Sequence, residues 1–150
     1  MEQRREQVTD GVHIPQETVL DSTAKKKAHR TLRQLPIYRD MANLKYKVVC
    51  LYDIVPRKLT KYIDSMLVTV CEAKKCVGLA ESTRNSEERA QYLTLARVFM
   101  EDTQDDVTIL FKKNVISKNI EKQMKGQVRS VVAQCVAWRD YTNGQGVNDQ

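Results

Sequence analysis

Proline is absent after Pro56, and in the stretch that follows apolar side chains recur every three or four residues. A proline-free run of this kind folds as long helices, because nothing interrupts the backbone ladder and one stripe of each helix must be buried. Five Gly and three Pro in 150 residues leave few other breakers. No run shows the alternating pattern of a half-buried strand.

Four amphipathic segments can be read from the spacing. The first covers roughly 38–54, with Ile37, Met41, Leu44, Val48, Leu51 and Val55 on one face; Pro56 ends it. The second covers 57–81, with the stripe Leu59, Ile63, Met66, Val70 and Val77, widened by Leu67, Cys71 and Ala73. Ser82-Thr83-Arg84-Asn85-Ser86 reads as a loop, with Ser86 as the expected cap of the third helix. That helix covers 87–113 and buries Leu93, Ala96, Met100, Thr103, Val107 and Leu110, with Asn114 as its stop. The fourth covers 117–141, capped by Ser117, with the stripe Ile120, Met124, Val128, Val131, Cys135 and Trp138. Asn143-Gly144-Gln145-Gly146 is the expected end of that helix, and 143–150 the expected disordered tail. Short joins between such helices favour antiparallel neighbours, so the expected fold is all-α: an antiparallel up-down-up-down four-helix bundle over 35–142. Residues 1–34 are polar, lack a sustained period and read as a flexible, basic arm.

The chemistry of the chain is defined as much by what it lacks. His13 and His29 are the two histidines, both in the arm, so the helices have no imidazole for a metal site or a catalytic base. Cys71 and Cys76 would point about 140° apart on one helix, the wrong arrangement for a zinc site. Phosphate-binding glycine loops and nucleophile elbows are missing as well. Glu101, Asp102, Asp105 and Asp106 read as a solvated acidic face, or as partners for the bases of a neighbouring subunit. The expectation is a protein that is not an enzyme and has no cofactor and no metal. The opening Met1-Glu2-Gln3-Arg4-Arg5 is not a signal sequence and no apolar run reaches membrane length, so a cytoplasmic protein with reduced thiols, away from any membrane, is expected.

The positive charge suggests a partner. Lys and Arg outnumber Asp and Glu by 25 to 19, a net charge of +6. Lys118, Lys122, Lys125 and Arg129 step by one turn along the fourth helix, on what reads as its outer face, interrupted by Glu121 alone. Arg57, Lys58 and Lys61 open the second helix, and Lys74 and Lys75 lie near its end. These nine cations are the candidate nucleic-acid-binding residues. They would contact RNA and DNA through phosphates and without sequence preference, since no aromatics interleave with the fourth-helix row. The alternative is a homo-oligomeric protein-interaction scaffold without nucleic-acid binding. Tyr38, Tyr46, Tyr52, Tyr62, Tyr92 and Tyr141 read as half-buried residues at the core edge, or as interface anchors.

Leu35-Pro36-Ile37-Tyr38, the turn Val55-Pro56-Arg57-Lys58-Leu59-Thr60-Lys61-Tyr62, the pair Tyr92-Leu93 and the late Trp138 together resemble the Avd family. These are the accessory variability determinants of diversity-generating retroelements, related to the four-helix-bundle proteins of ribosomal RNA intervening sequences. The resemblance covers about residues 35–142. It implies a homopentamer of four-helix bundles that binds a reverse transcriptase, with its RNA and DNA, and supports mutagenic retrohoming. It also implies that polymerase chemistry belongs to the partner.

Overall fold

A computed structural model describes residues 35–148; the expected arm at 1–34 lies outside them. Four α-helices follow in order: α1 (Pro36–Cys50), α2 (Thr60–Ser82), α3 (Ser86–Lys112) and α4 (Lys118–Asn148). The join between α1 and α2 holds two short 3-10 turns, Leu51–Asp53 and Arg57–Leu59. The fold is an all-α four-helix bundle, as the spacing predicts, with no strand among the described residues.

Side-chain contacts give the direction of each helix. Tyr38 at the start of α1 donates to Glu81 Oε2 at the end of α2 (2.9 Å), while Tyr52 beyond the end of α1 meets Asp64 near the start of α2. Arg89 at the start of α3 reaches the end of α2, and Asp106 near the end of α3 bonds Ser65 near the start of α2. Asp40 on α1 accepts from Gln134 Nε2 on α4 at 2.7 Å. Along the α1–α2 and α2–α3 pairs one residue number rises as the other falls, so these neighbours run antiparallel. The α3–α4 pair packs across the short 113–117 turn.

The predicted stripes of α1 and α3 are buried at every position: Ile37, Met41, Leu44, Val48, Leu51 and Val55 on one, Leu93, Ala96, Met100, Thr103, Val107 and Leu110 on the other. Thr103 stays buried because its hydroxyl pairs with Thr69 Oγ1 at 2.6 Å and with Phe99 O at 2.9 Å. In α2 the stripe widens to the other side. Ile63, Met66, Val70, Val77 and Ala73 are buried as expected and Cys76 and Ala80 join them, whereas Leu59, Leu67 and Cys71 are half-exposed.

The turns correct three expectations. Asn85, not Ser86, caps α3, accepting from the backbone N–H groups of Glu87 (2.9 Å) and Glu88 (3.1 Å) through Oδ1. Shifting the cap by one places Glu88 at the third helical position, where it accepts from the Thr83 hydroxyl. Second, α4 continues to Asn148 and does not stop at Asn143-Gly144-Gln145-Gly146, so the expected tail begins inside a helix. None of the described glycines takes the positive φ that a glycine stop uses, and Thr142, one heptad beyond Cys135, is still buried. Third, Trp138 and Ile120 are half-exposed flanks rather than core. Asn114 and Ser117 act as expected. Asn114 adopts φ 60° and the N–H groups of Asn114 and Val115 close back onto Phe111 and Leu110, while Ser117 Oγ accepts from Ile120 N at 3.1 Å.

Candidate nucleic-acid interface

An up-down bundle brings alternate turns to the same end. The α1–α2 join and the α3–α4 turn therefore share one end of the bundle, opposite the 83–85 turn. Arg57, Lys58 and Lys61 come from the first of these segments. Lys112 and Lys113 end α3, and Lys118 and Lys122 open α4. All are exposed, and among the described residues none of them makes an ion pair. Lys61 alone has a contact of another kind, its Nζ lying 5.2 Å from the centre of the Tyr62 ring.

The arrangement follows from local structure. Pro56, at φ −58° and ψ 146°, holds the backbone extended and lets the chain re-enter a helix at once, so Arg57 and Lys58 sit on an exposed 3-10 turn. Lys112 and Lys113 occupy the C-terminal turn of α3, where the helix dipole favours cations. The αL turn at Asn114 then directs the chain straight into α4, which brings Lys118 to the same end.

The nine predicted cations divide. Arg57, Lys58, Lys61, Lys118 and Lys122 gather at this end, while Lys74, Lys75 and Arg129 do not. Lys61 and Lys75 are about 21 Å apart along α2, and Lys118 and Arg129 about 16 Å along α4, at 1.5 Å per residue. Lys75 is paired with Glu72 at 3.2 Å. Lys125 is drawn down beside Glu121 at 3.9 Å, with side-chain exposures of 19% and 16%. The α4 row does not occupy the outer face. Met124, Val128, Val131 and Cys135 define the buried direction, and the row lies about 120° from it at 100° per residue, on a flank. Lys112 and Lys113 belong to the cluster and are missing from the predicted set. The signal for them was in the chain order, since two turns of an up-down bundle must share an end.

The remaining polar groups are structural. The Arg89 guanidinium donates to Ala80 O (2.9 Å) and Thr83 O (2.6 Å), closing the end of α2. Burial, with the Glu81 hydrogen bond and charge, raises the pKa of Tyr38. Burial raises the Cys76 thiol, and raises Cys135 to about 11 with a smaller effect of Cys76, so both remain protonated core groups rather than nucleophiles. Cys50 and Cys71 are free thiols too, exposed and half-exposed. Desolvation, and secondarily the charges of Asp102 and Asp105, raise the pKa of Asp106 against the opposing bond from Ser65. No group of three His, Cys, Asp or Glu among the described residues is placed to hold a metal ion. None of the described helices is long and apolar enough to cross a membrane.

Neither protein-family models nor curated proteins provide a match to this chain.

Proposed function

We propose that this chain is a non-catalytic, nucleic-acid-binding accessory protein of the cytoplasm. Its resemblance to the Avd family supports a role beside a reverse transcriptase in the mutagenic retrohoming of a diversity-generating retroelement. The supporting observation is the basic end: cations from separate stretches of chain converge there without acidic partners, which is the condition under which lysines remain available to phosphates. A cluster drawn from several segments on a packed scaffold holds its charges at fixed separations, and so fits RNA and DNA backbones in general rather than one sequence. Binding to labelled RNA and DNA at low salt tests the reading. Micromolar or tighter affinity for both supports it, and absence of binding to either at low salt removes it. Co-purification with a diversity-generating-element reverse transcriptase co-expressed with the chain tests the partner.

A second reading, a homo-oligomeric interaction scaffold, draws support from a different face. Val68 (61% exposed) and Leu79 (47%) on α2, with Leu95 and Val98 on α3, leave aliphatic side chains in water. Outward-facing aliphatics on two neighbouring helices are the kind of surface a second copy could cover. The Avd resemblance points to a homopentamer. Sedimentation equilibrium decides this: a pentamer mass supports that assembly, and a monomer at micromolar concentration excludes both the pentamer and the scaffold.

A further inference from the structure

The large side chains that α1 and its following turn expose include Tyr46 (71%) and Val49 in the last two turns of α1, and Tyr52 and Ile54 in the join that leads to Arg57 and Lys58. The sequence between Lys45 and Tyr62 interleaves aromatic and basic residues, and the fold keeps both kinds in water. Tyr46 points straight out of α1, on the side away from Met41, Leu44 and Val48. Its hydroxyl bonds no described group. Tyr52 is different: it donates to Asp64 across the α1–α2 pair, which fixes the ring while leaving much of it exposed. Lys45 precedes Tyr46, and Arg57, Lys58 and Lys61 follow Tyr52 and Asp53 into α2, all four cations exposed and without ion pairs among the described residues.

On these grounds we infer that the α1–α2 side of the basic end binds single-stranded nucleic acid, with Tyr46 and Tyr52 stacking unpaired bases while Lys45, Arg57, Lys58 and Lys61 hold the phosphates. The inference rests on the nucleic-acid reading above and goes further, to strand state and to the residues that sense it. Stacking requires an accessible ring face, which a base inside a duplex does not offer but an unpaired base does. Six residues separate the rings, about 9 Å of rise and about 120° around the axis at 100° per residue, so a strand that meets both crosses a few nucleotides, at roughly 3.4 Å each, as it passes from the outside of α1 toward α2. Tyr52 arrives with its orientation already set by Asp64, so less freedom is lost on binding. An acidic peptide would also find cations here. It would gain little from rings on a convex helix face, where no groove encloses a side chain.

The test is fluorescence anisotropy with a labelled 20-nucleotide strand and with the duplex of the same sequence, at one salt concentration. Wild type is expected to bind the single strand more tightly. Tyr46→Ala should weaken single-strand binding by about tenfold and leave duplex binding unchanged, with Tyr46→Trp restoring it. Tyr46 is so exposed that neither variant threatens the fold, and circular dichroism verifies this. Equal loss on both probes, or no loss with Tyr46→Ala, overturns the single-strand inference while leaving general nucleic-acid binding intact. Displacement of the strand by polyglutamate at matched charge overturns it in favour of an acidic protein partner. Failure of wild type to bind either probe removes the proposed function together with this inference.

Discussion

The two ends of the bundle use the same residue types in opposite ways. At the 83–85 turn, Arg89 spends its guanidinium on two backbone carbonyls, and Thr83, Asn85 and Glu88 satisfy one another and the first N–H groups of α3. At the other end, Arg57, Lys58, Lys112, Lys113 and Lys118 make no described ion pair and lie in water. At one end the polar groups mostly close on one another, with Arg84 the exposed exception; the other end presents five cations together. A cation committed to holding two helices together is unavailable to a ligand, so charge alone does not locate a binding surface. Commitment to internal partners decides it.

Variants can break or sharpen this contrast. The largest effect should come from the core shared by both ends. Val128→Asp puts an unpaired carboxylate at a fully buried position and should cost about 3–5 kcal/mol by analogy with broken buried pairs. Urea denaturation would show it, and a variant of wild-type stability would mean that α4 is rotated from the face described. Next, Arg89→Met removes two charge-assisted hydrogen bonds and should cost about 2 kcal/mol. Amide exchange should quicken around residues 80–90, while nucleic-acid affinity stays at the wild-type level. A loss of affinity here would erase the distinction between the ends. Asn85→Ala removes the α3 cap, for about 1 kcal/mol and a fall of roughly 3 °C in Tm.

A smaller change, of opposite sign, should follow from Asp106→Asn. The folded pKa of Asp106 is raised, so the folded state holds the proton better than the unfolded chain does. That carboxylate therefore disfavours folding once the pH exceeds its folded pKa, and the penalty fades as the pH falls below the ordinary carboxylate value. Thermal melts should show Asp106→Asn more stable than wild type at pH 7, with the difference closing in acid. Smallest of all, Lys58, Lys112 and Lys113 replaced together by Gln should lower stability by less than about 1 kcal/mol, since they make no ion pair among the described residues and lose only the exposed dipole contribution of the last turn of α3.

Much of the fold was legible because burial follows helical spacing. All of the stripe residues predicted for α1 and α3 are in the core. The errors have local causes. Counting Ile120 and Trp138 in the α4 stripe turned its axis away from the direction set by Met124, Val131 and Cys135, which made a flank look like the outer face. Asn143 and Gly144 carry stop-signal side chains but remain helical, since the stripe runs on to Thr142. The tyrosines split: Tyr38, Tyr62 and Tyr92 sit half-buried as expected, whereas Tyr46, Tyr52 and Tyr141 are exposed. Of the candidate site, the cation identities were readable but their commitments were not. Only packing shows that Lys125 lies against Glu121 or that Lys75 meets Glu72. Lys112 and Lys113 were within reach of the sequence, given the antiparallel order, because their grouping with Arg57 and Lys118 follows from topology.

The central claim is that unpaired cations at the basic end contact phosphates, and the salt dependence of affinity measures this directly. Single-strand binding should follow log Kd linearly against log salt, with a slope of about 0.7 per phosphate contact. Replacing Lys58, Lys112 and Lys113 with Gln should reduce that slope by about 2 in a protein of unchanged helicity. An identical slope in the variant and the wild type would contradict the account.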